Sequence, residues 1–103
     1  MRSWPQDAKQ SLRFLAAARY FLPERLDCAD ELQMRYTEQL RRAEFQSALA
    51  TLEEIGSLHS GHENETHFWK ELYYAAQHLA LPEHAARYEE ILRQIAEMKR
   101  LGL

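Results

Sequence analysis

The chain lacks any means of an internal disulfide, because Cys28 is its one cysteine. A reactive thiol needs a base beside it, and no such base stands near Cys28 in sequence. Cys28 therefore reads as a small apolar side chain. No apolar run approaches the ~20 residues that a membrane-spanning helix requires. The opening stretch MRSWPQDAKQS has no apolar core of a leader, and the later FLAAARYFL is short and interrupted by Arg19. These features lead us to expect a cytoplasmic protein with no membrane partner. Strand signals are missing too: there is no period-two alternation, and there is no Asn-Gly or Asp-Gly turn.

The rest of the composition belongs to a compact domain. There are three glycines and three prolines, with 46% apolar and 28% charged residues. At 103 residues the chain reads as one domain, residues 1–103. A chain of that size buries roughly 65% of its unfolded surface, enough for one core without staples.

A net charge of −3 argues against nucleic acid as a partner. The charge is also unevenly spread. Residues 1–43 hold eight Lys/Arg and six Asp/Glu, and residues 68–103 hold five of each. Residues 44–67 hold five acids, Glu44, Glu53, Glu54, Glu63 and Glu65, and no Lys or Arg. An acidic island of this kind attracts a basic partner and speeds its approach.

Five helices are expected. Ser3 can cap the first, with Pro5 in its first turn and Gln6 in the capping-box position. Its stripe is Trp4, Ala8, Leu12, Leu15, Ala18 and Leu22, and Pro23 ends it. Glu24 to Leu26 can form a turn, with Asp27 capping a second helix whose stripe is Ala29, Leu32, Tyr36 and Leu40. The third carries Phe45, Ala48, Leu49, Leu52 and Ile55, and Gly56 is expected to stop it as a left-handed cap. SLHSGHENE then reads as a loop with Gly61 at its turn.

Asn64 or Thr66 can cap the fourth helix, which is apolar over most of its circumference. One of its stripes is Phe68, Leu72, Ala75 and Leu79, and the other is Trp69, Tyr73, Ala76 and Ala80. Such a helix is either central or held open for a partner. Pro82 starts the fifth, with Ala85, Tyr88, Leu92, Ile95 and Met98 inward. The expected fold is all-α, a compact bundle of about five antiparallel helices. A faint echo between AEFQSALATLEEI and PEHAARYEEIL suggests tetratricopeptide-like helical hairpins.

HSGHENETHFW brings His59, His62 and His67 close to Glu63 and Glu65. A helical zinc-protease site needs two histidines four residues apart. His62 and His67 are five apart, which turns the second ring about 140° from the first. The protease pattern fails. A loop could still gather the three histidines around a metal. The simpler reading is a polar loop whose acids favour the positive start of the fourth helix, and three histidines beside acids could also sense protons. No phosphate loop or nucleophile elbow is present. We therefore expect no catalytic residue, no cofactor and no metal.

The acidic island meets the aromatic density of the fourth helix at Trp69 and Tyr73, one turn apart. Packing explains such a stripe without a function. Exposed along one edge, the pair would anchor a partner that the acids steer.

RRAEFQSALATLEEIGSL, a polar loop, then FWKELYYAAQHLALPEHAARYEEIL, over roughly residues 30–95, resembles the small all-α immunity proteins of bacterial polymorphic-toxin and contact-dependent-inhibition systems, of Maf type. The resemblance is carried by Glu44, Phe45, Ala48, Leu49 and Leu52 after a short turn, with Ala43 where glycine is usual. It implies a protein that binds one cognate toxin, such as a basic nuclease, and occludes its active-site cleft. The partner-binding residues it would use are Glu53, Glu54, Glu63, Glu65, Trp69 and Tyr73. The alternatives are a tetratricopeptide-like adaptor that holds a peptide, a metal enzyme on the histidine loop, and a homodimer that hides Trp69 and Tyr73. When free, the protein is expected to be a monomer or homodimer.

Overall fold

A computed structural model describes residues 6–22, 30–58 and 64–102. Five helices follow one another: α1 (Gln6–Tyr20), α2 (Asp30–Arg41), α3 (Phe45–Leu58), α4 (Glu65–His78) and α5 (Pro82–Arg100). No strand occurs among the described residues, and the protein is an all-α bundle. Ser3, Trp4, Pro5, Pro23, Glu24, Leu26, Asp27, Cys28, Ala29 and Gly61, which carried some of the expectations above, lie outside them.

α4 is the central helix. Phe68, Leu72, Ala75 and Ala76 are fully buried, as its nearly continuous apolar surface requires. α1 covers one side of it in antiparallel fashion: Phe14 packs against Tyr74 and His78, and Phe21 stacks on His67. α5 covers another side, also antiparallel. Trp69 meets Tyr88 at 5.7 Å, and Lys99 donates to Thr66 Oγ1 at 3.1 Å. α3 packs on α4 and α1, and α2 packs mainly on α3. Tyr36 of α2 reaches α1, where its hydroxyl donates to the Leu15 carbonyl at 3.2 Å. The result measures 52 × 29 × 18 Å, a slab about two helices thick.

Most of the described residues in the stripes read from the sequence face one contiguous core, whereas Ala80 lies beyond α4 and is exposed. Leu15, Ala18 and Leu22 of the first, Tyr36 of the second, and Phe45, Ala48, Leu49, Leu52 and Ile55 of the third are buried. Tyr88 and Ile95 are buried on α5, whereas Met98 is 48% exposed.

Gly56 departs from expectation. It does not cap α3, which continues through Ser57 and Leu58. It lies buried inside the helix, against the ring of Phe68. The left-handed residues are alanines instead: Ala43 (φ 58°) and Ala80 (φ 57°). Each sits in the turn between two antiparallel helices. After α2, the Glu44 N–H donates to the Gln39 carbonyl (2.8 Å), and the Ala43 N–H donates to that of Leu40 (3.0 Å). After α4, the Leu81 N–H donates to Ala76 (2.9 Å) and the Ala80 N–H to Gln77 (3.2 Å). Both are Schellman caps. The next helix then starts at the same offset, with Ala48 bonded to Glu44 and Ala85 to Leu81. The faint echo in the sequence is therefore a repeated hairpin, α2–α3 and α4–α5. The two do not stack as a simple array, because α1 covers α4 where α2 would lie.

Candidate partner interface

The acidic segment puts Glu53 and Glu54 on the last turns of α3, and Glu65 on the first turn of α4. Their surroundings differ. Glu53 is held by α5: Arg87 Nε lies 2.6 Å from Oε1, and an Arg87 terminal nitrogen donates to Oε2 at 2.8 Å. Tyr88, itself fully buried, donates its hydroxyl to Oε2 at 3.1 Å. Burial, with the Glu53 carboxylate beside it, pushes the Tyr88 pKa up and keeps it a neutral donor. Glu53 thus ties α3 to α5, and its charge is largely answered within the molecule. Glu54 is exposed, and Glu65 is half-buried.

Trp69 is a core residue, 4% exposed, edge-on to Phe68 at 5.0 Å and tilted against Tyr88. It is not the exposed anchor that the sequence allowed. Tyr73 is half-buried, and its hydroxyl accepts from Gln77 Nε2 at 2.9 Å. The two rings are one turn apart, yet they open onto different grooves. Tyr73 borders a groove of about 450 Å³ at the α4–α5 turn, with Pro82, Ala86 and Glu89. Trp69 floors another of about 380 Å³, where Glu65 and Ser57 face Ile91, Ile95 and Met98 of α5. The expected Trp69–Tyr73 pair is therefore divided.

The acids fare better as a group. Ala50, Glu53, Glu54 and Ser57 line a shallow depression on α3. Ser57 lines both this depression and the Trp69 groove, so the two adjoin at that residue. Glu53, Glu54 and Glu65 border these adjoining parts, and among the described residues lining them none is Lys or Arg. Apolar floor and carboxylate rim together suit an apolar segment that carries cations.

Glu63, His59 and His62 lie outside the described residues. His67 is exposed, and its nearest ring is Phe21, stacked at 5.0 Å. Among the described residues no three His, Cys, Asp or Glu side chains come together as metal ligands. No helix among them is long and apolar enough to cross a membrane. Sequence reasoning missed Arg87, Ile91 and Gln94. Ile91 lies four residues before Ile95, and Gln94 four before Met98, so helical spacing alone would have placed them at the groove.

Compared with protein-family models, curated proteins and solved structures, the chain matches none.

Proposed function

We propose that the protein is an immunity protein. It binds a cognate, basic toxin domain that acts in the cytosol, such as a nuclease, and occludes the cleft where the toxin holds its substrate. The observation that carries this reading is the adjoining surface of Glu53, Glu54, Ser57, Glu65 and Trp69, with carboxylates at its rim and no Lys or Arg among the described residues that line it. A nuclease is basic where it holds phosphates, and an acidic rim competes for that site. The resemblance of residues 30–95 to small helical immunity proteins points the same way.

The interface differs in detail from the set read in sequence. The steering role falls first to Glu54, which is exposed, because Glu53 is committed to Arg87. Trp69 shapes the groove floor from within the core.

Co-expression with the toxin domain encoded in the adjoining reading frame tests the proposal. A one-to-one complex and restored growth are expected. An adjoining frame without a basic toxin domain, or separate elution with growth still arrested, would discard the reading.

One observation favours a second reading. The hairpin turn recurs in the same geometry at Ala43 and Ala80, as in helical-repeat adaptors that hold peptides. An adaptor would bind its peptide without relieving any toxicity.

A further inference from the structure

α5 is an edge helix. It packs mainly on α4, and of its 19 residues only Tyr88 and Ile95 are buried. α3, with 14 residues, buries Phe45, Ala48, Leu49, Thr51, Leu52, Ile55 and Gly56. Elements with few buried apolar contacts open locally while the rest of a fold stays closed.

Arg87 and Tyr88 carry α5 across to α3, and both end on Glu53. Arg87 Nε lies 2.6 Å from Oε1, a terminal nitrogen of the same guanidinium donates to Oε2 at 2.8 Å, and the Tyr88 hydroxyl donates to Oε2 at 3.1 Å. The guanidinium also lies over the Tyr88 ring, 5.8 Å from its centre. The whole clasp therefore depends on one carboxylate. Tyr88 is fully buried. Without Glu53 its hydroxyl loses this acceptor inside the fold, and it gains water when α5 lifts. A buried donor in that position favours the opened state.

One turn beyond the clasp the seam is already parted. Ser57, four residues after Glu53, shares with Gln94, Ile95 and Met98 a groove of about 380 Å³ floored by Trp69. The other attachment of α5 is the short turn to α4, where Ala80 has a left-handed backbone (φ 57°). A few such positions at the end of an element are enough to absorb a hinge motion.

We propose that α5 is a strap that lifts as a unit before the rest of the fold opens, pivoting at the Ala80 turn, and that Glu53 is the latch that holds it down. Lifting uncovers Trp69 and widens the groove beside it, and closing shuts both. The inference concerns the chain alone and stands apart from the immunity reading.

Native-state hydrogen exchange on the full chain, followed by NMR at low urea, tests this. The amides of Ile91, Leu92 and Ile95 should exchange through one shared opening. Its urea dependence should be weaker than that of Leu15, Leu49 and Leu52, because less surface is exposed. Glu53→Gln should speed the α5 amides by about tenfold. Tyr36→Phe is the control, since it breaks the bond between α2 and α1 that a lifted α5 leaves intact. It should speed Leu15 and Leu49 and leave the α5 amides at their wild-type rates. Where Glu53→Gln fails to fold, Arg87→Gln removes the fork, keeps the Tyr88 bond and should still speed the α5 amides. Amides of α5 that share the urea dependence of α3, that speed up equally in Tyr36→Phe, or that ignore the loss of the latch would overturn the proposal.

Discussion

At Gly56 an added Cβ would lie 2.1 Å from Cε1 of Phe68 and 2.6 Å from its Cζ. Both are ring atoms of a fully buried side chain on the central helix, so they have little room to retreat. Helix propensity favours alanine over glycine by ~1 kcal/mol, and overpacking costs ~1–3 kcal/mol. Packing should win. Gly56→Ala is expected to lower stability by about 1–2 kcal/mol in urea titration, and Phe68→Leu in that background should recover part of the loss. An unchanged or higher midpoint would mean that α3 and α4 are not held this closely. The opposite sign is expected at Ala43 and Ala80, whose backbones are left-handed. Alanine pays about 1–2 kcal/mol there, and glycine pays little beyond its freedom in the unfolded chain. Ala43→Gly and Ala80→Gly should each raise the melting temperature by a few degrees. The same substitution at Ala50, exposed within α3, should lower it.

At the scale of elements, the helices were legible because each needs only a local pattern. The 3.6-residue spacing that marks Ala48, Leu49, Leu52 and Ile55 in sequence is the spacing that buries them. Gly56 was not legible, since glycine serves both a left-handed cap and a close helix approach, and one letter cannot say which. Glu53 was read as a partner-facing acid because its own partner, Arg87, lies on another helix, and only tertiary packing joins them. The groove was half legible: Ile95 and Met98 were read as core, but which side of α5 would stay uncovered depends on how α3 and α4 meet it.

Two tyrosines join elements in a way that pH can probe. Tyr36 links α2 to α1, and burial pushes its pKa up from 10.0 to about 12, with Arg19 drawing it slightly back. Tyr88 links α5 to α3, and its pKa is also raised by burial. In both, the folded state holds the proton more tightly than the unfolded chain. Their contribution is therefore complete below about pH 10 and is lost as pH rises toward the folded values. Each tyrosine should steepen the fall in unfolding free energy by ~1.4 kcal/mol per pH unit above that point. Denaturant midpoints measured from pH 9 to 11.5 should drop sharply past 10. Tyr36→Phe should lower the starting level, through its lost bond to Leu15, yet flatten the slope. A slope identical to wild type would remove Tyr36 from this account.

At the scale of the whole molecule, charge and shape act together on encounter. The net charge of −3 is small, so the total field guides a partner weakly. What matters is position: acids border one surface of a slab 52 Å long and 18 Å thick, and Arg87 beside them is forked onto Glu53. On the proposed immunity reading, a basic toxin domain approaching that surface should associate faster than one meeting the far edge, and salt should erase the difference, since the screening length falls from ~14 Å at 0.05 M to ~4–5 Å at 0.5 M. Stopped-flow association with the toxin domain should slow by about tenfold over that range. Glu54→Lys with Glu65→Lys should slow association at low salt and make the salt dependence shallower. Glu53→Gln acts differently: it frees Arg87 and leaves the Tyr88 hydroxyl with a weaker acceptor, so it should cost stability first and association second. If Glu53→Gln changed the association rate as strongly as the double reversal and left stability untouched, its carboxylate would be facing the partner, and the division of labour between Glu53 and its two neighbours would be wrong.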